Sequence, residues 1–298
     1  MKLFKSILLL FFVLVNTQGC AQLNTKKLQR EQTTIVSGLT GASKIGNNKK
    51  LKHRWDIQSR IIARNYLANW IENTGLKIQE HPYTIIDVDR LGKKTEFKGT
   101  NIYSIIPATN TSDEYIVIGA HFDSVENSPG ANDNATGCAL LYGVSKKIAT
   151  LKTRAKNIIV VFFDQEEIGC IGSLAFAKFI KTKKYNVHSV HTIDQMGWDQ
   201  DNDRNIEIEL PTPTLKAIYQ KHAKLLGVFA LTTYEAGSDH RRFRASGFNA
   251  VGITEEYQNK DTTPHYHRST DTFETVNFEY LSFSTELICN VIEELLTE

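Results

Sequence analysis

The sequence predicts an α/β fold, a three-layer α/β/α sandwich around a mostly parallel mixed sheet. Strand-like and helix-like segments alternate along the chain, which is typical of this class. Several strands are continuous apolar runs, such as residues 158–163, and such runs indicate strands covered by helices on both faces. The length of 298 residues and a hydrophobic content of 41% suit one sizeable core. We therefore expect a single domain at residues 53–298.

The segment before this domain begins with a predicted targeting signal at residues 1–20. Lys2 and Lys5 form a basic start, and the apolar run that follows, residues 7–15, is about half as long as a membrane-spanning helix. Such a pattern is typical of an export signal, so disulfide bonds would be permitted in the mature protein.

Two ways of processing this signal stay open. Cleavage after Ala21 would use Gly19 and Ala21 as the small pair and release a secreted or periplasmic protein, with its signal peptide removed. Cleavage before Cys20 would leave a cysteine for lipidation and so a membrane-anchored lipoprotein, although Thr17 and Gln18 fit a lipoprotein signal poorly. A lipid anchor at Cys20 is the one membrane attachment that the sequence suggests.

Residues 21–52 are polar and rich in lysine, and we interpret them as an exposed N-terminal arm. The first helix of the domain is expected at residues 54–73, where apolar positions recur at spacings of three and four, and Gly75 is a suitable stop. The remaining predicted strands are 83–88, 101–106, 115–119, 158–163, 190–193, 206–210 and 250–254, and the remaining predicted helices are 135–149, 173–181, 213–226 and 278–296.

The charge and the cysteines exclude some classes of protein. Lys and Arg number 35 against 33 Asp and Glu, and this near balance argues against nucleic acid as a partner. Four cysteines are too few for a disulfide scaffold. Cys138, Cys170 and Cys289 lie in apolar surroundings, and we expect them to be buried as small hydrophobic residues.

Polar residues that suit metal binding follow the predicted strands. His121 and Asp123 follow one strand, Glu166 and Glu167 follow a second, and Asp194 follows a third. In open α/β sheets, ligands bind outside the carboxyl ends of the strands. Asp133 before a helix and the late loop Pro264–Asp271 supply a further carboxylate and two imidazoles. Imidazole with carboxylate and no thiolate fits zinc, and the number of ligands fits two ions that share a carboxylate.

The fragments resemble the co-catalytic zinc aminopeptidase family, which includes bacterial leucyl aminopeptidases and is related to glutaminyl cyclases. The resemblance covers roughly three-quarters of the chain, from the helix near Arg54 to Asp271, and includes residues 98–102 and 237–240. It implies a zinc-exopeptidase fold, a metalloprotease activity and peptide substrates with a free N-terminus.

The resemblance also implies a role for each residue. Asp133 would bridge two Zn²⁺ ions, and its peptide bond to Asn134 would be cis. His121 and Asp194 would complete one metal site, and Glu167 and His267 the other. Glu166 would be the general base, Tyr266 would stabilise the tetrahedral intermediate, and Asp123 would orient His121.

Two other groups of residues are less specific. His265 competes with His267, but the family has its ligand four residues before an aspartate, and His267 with Asp271 fits this spacing. Asp199, Asp201, Asp203 and Glu207 alternate as the ligands of a calcium loop do, so Ca²⁺ at the three aspartates is an alternative. Because Arg204 replaces the turn glycine of an EF-hand loop, we prefer an acidic loop in solvent.

The leading functional hypothesis is an exported aminopeptidase that hydrolyses N-terminal residues from peptides. A glutaminyl-peptide cyclotransferase with one zinc is the nearest alternative, but such enzymes commonly have an insertion after the glutamate pair, whereas Glu166-Glu167 leads directly into residues 168–173. A carboxypeptidase or dipeptidase also stays open, and so does a binding domain without activity, which the complete ligand set disfavours. We expect the substrate pocket to be formed by residues 243–248 and 255–263.

Overall fold

An eight-stranded mixed sheet lies at the centre of the fold. The structure is a computed structural model that describes residues 25–46, 48–88 and 93–297. The strands are β1 (Gln79–Val88), β2 (Lys94–Ile106), β3 (Glu114–His121), β4 (Asn157–Phe163), β5 (Asn186–Ile193), β6 (Ile206–Glu209), β7 (Ala230–Thr233) and β8 (Ala250–Glu255). Their order is β1-β2-β4-β3-β5-β8-β6-β7. Strands β4, β3, β5 and β8 are parallel to one another, and β7 is parallel to β6. The pairs β1–β2, β2–β4 and β6–β8 are antiparallel.

Helices cover both faces of this sheet. They are α1 (Thr25–Leu39), α2 (Ile57–Glu72), α3 (Gly137–Ala149), α4 (Ile171–Thr182), α5 (Pro213–Leu225), α6 (His240–Ala245) and α7 (Phe278–Leu295). On β4, Ile158 and Val160 belong to the core beneath the larger helix layer, whereas Ile159 and Val161 belong to the core beneath α4 and α6. The predicted three-layer α/β/α sandwich around a mostly parallel mixed sheet is therefore confirmed.

Residues 25–39 contradict the interpretation of 21–52 as an exposed arm. They form α1, and its side chains Leu28, Ile35 and Val36 are buried against α3 and α7. The buried Gln32 donates hydrogen bonds from Nε2 to the carbonyl of Ala139 (3.3 Å) and to the hydroxyl of Thr285 (2.7 Å). The prediction was wrong because the apolar residues of this segment are few and occupy one face only, so the average composition is polar.

The other predicted elements are present, with differences at their ends. Strand β2 begins at Lys94 rather than at residue 101, because residues 94–99 pair only with β1 and are largely exposed, so their sequence is polar. Helix α4 begins two residues earlier than predicted. Strand β7 and helix α6 were not predicted, because four to six residues are too short for a clear periodic pattern.

The predicted burial of Cys138, Cys170 and Cys289 is confirmed, and all three are free thiols. No helix among the described residues is long and apolar enough to cross a membrane. The predicted targeting signal and Cys20 lie outside the described residues.

Candidate metal centre and substrate cavity

Five segments at the carboxyl edge of the parallel strands bring the predicted ligands together. His121 is the last residue of β3, and Asp194 directly follows β5. Asp133 lies in the turn Ala131–Thr136, where its own backbone angles are not helical, and this turn leads into α3. Because β3 and β5 are adjacent parallel strands, their carboxyl ends lie side by side. Helix α3 begins at the same edge of the sheet, directly after the turn that carries Asp133.

The five predicted ligands form two triads that have Asp133 in common. His121, Asp133 and Asp194 form the first, and Asp133, Glu167 and His267 form the second. Nε2 of His121 lies 3.3 Å from Oδ1 of Asp133, and Nε2 of His267 lies 3.3 Å from Oδ2 of the same carboxylate. Each carboxylate oxygen of Asp133 therefore faces a different imidazole, as a ligand shared by two cations would.

The non-shared carboxylates complete this arrangement. Oδ1 of Asp194 lies 3.3 Å from Nε2 of His121, and Oε2 of Glu167 lies 3.0 Å from Nε2 of His267. His121 and Asp133 are buried, whereas His267 is 39% exposed. The second triad is thus the one that opens more to solvent.

Glu166 lies beside the two triads but belongs to neither. Its carboxylate accepts a hydrogen bond from the thiol of Cys170, with Sγ 2.8 Å from Oε1. Glu166 and Glu167 follow each other in the chain, so their side chains point in different directions, and only that of Glu167 contacts a ligand histidine. This separation leaves Glu166 free to exchange a proton.

Asp123 positions both halves of the site. Its Oδ1 lies 3.4 Å from Nδ1 of His121, the contact expected of a carboxylate that orients a metal-binding imidazole. The same carboxylate accepts hydrogen bonds from the backbone N–H of Glu166 (3.0 Å) and of Glu167 (3.1 Å). One side chain therefore fixes an imidazole and the glutamate pair relative to each other.

The backbone around Asp133 is held by two buried carboxylates. The peptide bond between Asp133 and Asn134 is cis, as predicted. Asp271 accepts hydrogen bonds from the backbone N–H of Asn132 (2.8 Å) and of Asp133 (3.1 Å). Glu255, at the end of β8, accepts two hydrogen bonds of 2.9 Å from the side-chain amide of Asn132. These contacts fix the direction of the shared carboxylate.

The loop that carries His267 also carries His265, the alternative ligand, and Tyr266, the residue expected to stabilise the intermediate. His265 is turned away, and its Nδ1 lies 2.9 Å from the hydroxyl of Thr270. Tyr266 stacks on the His267 ring with a centroid separation of 3.8 Å, and its phenol lines the adjacent cavity. The structure therefore brings His267 and Tyr266, but not His265, to the site.

The charges of the site are unbalanced. Hydrogen bonds to Asp133 and Glu167 raise the pKa of His267 to about 10. Burial raises the pKa of Glu167 to about 8 and that of Glu166 well above its ordinary value. Burial also acts to raise the pKa of Asp133, but hydrogen bonds from His121 and His267 outweigh it and hold that pKa well below the usual range. Several buried carboxylates thus compete for two imidazoles.

Divalent cations would satisfy this cluster. Oε1 of Glu167 is buried without a hydrogen-bond partner among the described residues, and so is Nδ1 of His121, despite its proximity to Asp123. Carboxylates and imidazoles without a thiolate in either triad are the donors that zinc prefers, and cobalt or manganese would also fit. Buried negative charge that lacks a partner is costly, so bound cations would stabilise the site.

The acidic loop of residues 199–203 is separate from this centre. Asp199, Asp201 and Asp203 lie close to one another, and their carboxylates accept hydrogen bonds from backbone N–H groups of the same loop. Glu207 is not part of the group, because it accepts hydrogen bonds from the backbone of Tyr257 and Gln258. Asp201 and Asp203 are exposed, as an acidic loop in solvent would be, whereas Asp199 is buried, and calcium at the three aspartates stays a prediction.

A cavity of about 710 Å³ opens next to the metal centre. The expectation that residues 255–263 line it is correct for Glu255, Tyr257, Thr262 and Thr263. The expectation for residues 243–248 was wrong, because Phe243 packs against Phe163 in the core beneath α4 and α6.

Several supporting residues were missed in the sequence. Arg54 is fully buried and donates hydrogen bonds to the carbonyls of Phe122 (2.6 Å) and Gly130 (2.8 Å), so it holds the loops that precede Asp123 and Asp133. Glu255 was detectable in principle, because a pair of acids follows the apolar strand β8 just as a pair follows β4. The contact between Cys170 and Glu166 leaves no pattern in the sequence.

Comparisons with known proteins agree with this geometry. The sequence profile "Peptidase family M28" matches residues 101–292, which include every proposed ligand. "Aminopeptidase YwaD" of Bacillus subtilis is 25% identical over 187 residues, which cover 61% of this chain and 41% of that protein. The chain thus spans about two-fifths of the length of this curated relative.

Two solved structures share the fold. A zinc aminopeptidase from Bacillus subtilis superimposes with a TM-score of 0.76 at 14% identity, over 90% of this chain and 95% of the other. A glutaminyl cyclase from Porphyromonas gingivalis superimposes with a TM-score of 0.72 at 18% identity, over 90% and 98%. The match of the family profile to well over half of the chain, with the two triads inside it, establishes that the chain belongs to peptidase family M28.

Proposed function

We propose that this chain is a metallo-aminopeptidase, which removes N-terminal residues from peptides with the help of two zinc ions. The observation that carries the proposal is the pair of triads that share Asp133, next to a glutamate that belongs to neither triad. Membership of a peptidase family and the aminopeptidase relatives support the same reaction class.

Each triad would hold one ion. The bound ions would polarise the scissile carbonyl and make the attacking water more acidic. Glu166 would accept the proton of that water and deliver it to the leaving amine. Glu166 and Asp194 also line the cavity, so their carboxylates are available to hold the free amine of the peptide.

Tyr266 and Asp123 would assist these steps. Burial raises the pKa of Tyr266 above its ordinary value, so its phenol stays protonated at neutral pH and can donate a hydrogen bond to an oxyanion in the cavity. Asp123 would keep His121 and the backbone of Glu166 in position, since it contacts both.

A glutaminyl cyclase with one zinc is the second candidate, favoured by the fold shared with the Porphyromonas gingivalis enzyme. Against it stands the short connection after the glutamate pair. Helix α4 begins at Ile171, and the backbone N–H of Gly169 returns to the carbonyl of Glu166 within one turn (2.8 Å). This short connection lacks the insertion that such cyclases commonly have.

The experiment that tests the proposal uses residues 22–298, purified and supplied with zinc. Three peptides, which begin with leucine, with glutamine and with an N-acetylated residue, are incubated together and read by mass spectrometry. We expect whole residues to be released only from the two unblocked peptides. Loss of ammonia from the glutamine peptide alone would identify a cyclase, and absence of any product would contradict both candidates.

We also propose that the protein is exported, on the basis of the basic start and apolar run within residues 1–20. Expression of the full chain in a bacterium with radiolabelled palmitate distinguishes the two mature forms. Label that disappears in Cys20→Ala would support a lipoprotein, unlabelled protein cleaved after Ala21 would support the secreted or periplasmic form, and uncleaved cytoplasmic protein would contradict export.

A further inference from the structure

The cavity beside the metal centre continues along the face of β6 and β8. Strand β6 reads Ile-Glu-Ile-Glu, and this strict alternation separates two environments. Ile206 and Ile208 point into the main core together with Ile253 of β8. The opposite face carries Glu207 and Glu209, which are not part of a hydrophobic core.

Polar residues line the cavity. No Leu, Ile, Val, Met or Phe side chain is among the described residues that line it, and beyond the metal ligands its wall includes Gln195, Glu209, Glu235 and Tyr257. The wall therefore offers carboxyl and other polar groups to a substrate side chain.

Glu209 is a buried carboxylate of this wall that is not one of the predicted metal ligands. The residue is only 6% exposed, yet no described residue donates a hydrogen bond to its carboxylate. Gly252 lies opposite it on β8, and a side chain at that position would collide with Oε2 of Glu209. The Glu209 carboxylate can therefore occupy this position because Gly252 has no side chain.

The neighbours of Glu209 do not supply a positive charge. Nδ1 of His240 lies 3.3 Å from Oε2, but burial lowers the pKa of His240 to about 4, so this imidazole is neutral. Burial raises the pKa of Glu209 to about 8, and the nearby charges that add to this effect are the carboxylates of Asp194, Glu207 and Glu235.

Arg241 is the only Lys or Arg among the described residues that line the cavity, and its charge acts on His240 beside Glu209. Seven Asp or Glu residues line the same cavity, and the ion-pair distance of Glu209 is to His240 rather than to Arg241. The cavity is therefore rich in carboxyl groups, and a cationic group would favour the ionised form of Glu209. A buried carboxylate without a partner favours a cationic ligand, because the ligand removes the cost of its burial.

We propose that this part of the cavity binds the side chain of the N-terminal residue of the substrate and selects lysine or arginine, with Glu209 as the residue that recognises the cation. The inference rests on the proposed aminopeptidase function and adds the substrate class to it. Glu235, which is exposed at the same cavity, adds to the negative field without lying deep in the wall.

The test compares kcat/KM for tripeptides that differ only in the first residue, which is lysine, arginine, norleucine or glutamate. Norleucine has the lysine chain without its charge, so the ratio of lysine to norleucine isolates the ionic contact. We expect a ratio of about tenfold or more in the wild type, since a charge-assisted hydrogen bond contributes about that much. In Glu209→Gln, which keeps the shape, the ratio should fall to nearly one.

Because the ratio is taken within each variant, a general loss of folding or turnover cancels. Glu286→Gln removes the same charge from the exposed face of α7 and should keep the wild-type ratio. A wild-type enzyme that prefers norleucine or glutamate, or a Glu209→Gln variant with an unchanged ratio, would overturn this inference and leave the aminopeptidase function standing. Failure to release any first residue would overturn both.

Discussion

At the scale of single residues, the proposed mechanism assigns metal binding and proton transfer to the two members of one dipeptide. Glu167 contacts His267, whereas Glu166 contacts the thiol of Cys170. Asp123 accepts hydrogen bonds from the backbone N–H of both glutamates. The two side chains could exchange positions only if the backbone turned, and that would break both hydrogen bonds. The different roles therefore follow from the direction of each side chain.

Glu166→Gln tests this separation. The substitution keeps the size of the side chain and removes only its ability to accept a proton, so kcat should fall by roughly 10²–10⁴-fold. Zinc content, measured by mass spectrometry of metals, should stay at the wild-type value because Glu166 belongs to neither triad. Turnover within tenfold of the wild type would contradict the role of Glu166 as base.

His267→Ala and His265→Ala form a matched pair two residues apart. His267→Ala removes an imidazole from the second triad and should lower the zinc content, whereas His265→Ala should not, since His265 contacts Thr270 instead. Equilibrium dialysis against zinc measures both variants under the same conditions. If His265→Ala lost metal and His267→Ala kept it, the two assignments would have to be exchanged.

At the scale of elements, α1 belongs to the core of the domain. It packs on α3, the helix that follows Asp133, and on α7. Arg54 extends this connection, because its guanidinium contacts the carbonyl of Leu39 at the end of α1 (3.1 Å) as well as that of Gly130 before the metal loop (2.8 Å). The N-terminal helix thus supports the loop that carries the shared carboxylate.

Ile35→Ala tests the contribution of α1. Ile35 is fully buried, so the truncation should lower the free energy of unfolding by about 2–5 kcal/mol through lost burial and the cavity left behind. Thr34→Ala, at the exposed neighbouring position, should change it by no more than about 0.5 kcal/mol. Urea denaturation of zinc-loaded protein measures both. Equal, small effects would indicate that α1 does not stabilise the domain.

At the scale of the whole molecule, the sequence predicts the sheet well, and it predicts which side chains come together at the carboxyl edge of the sheet. Buried strands such as β4 are continuous apolar runs, and polar residues follow them directly, so the carboxyl edge of the sheet is visible in the sequence. His121, Glu167 and Asp194 could be predicted because each one lies within four residues of the end of such a strand.

What could not be predicted depends on contacts between distant segments. Helix α1 is stabilised by α3 and α7, which lie more than 100 residues away in the chain, and its own composition is polar. Glu209 also escaped notice, because only the pairing of β6 with β8 places it opposite Gly252 and beside the cavity. Such tertiary contacts decide burial, and local periodicity does not reveal them.

The most direct test of the account is the number of zinc ions that each chain binds. Protein dialysed to equilibrium against micromolar zinc is analysed for metal and for protein concentration, with His265→Ala as the control. Because the two triads share Asp133 and their three carboxylates outnumber their two imidazoles, the account predicts about two ions per chain. A single ion per chain, with the peptides still hydrolysed, would contradict the two-metal centre.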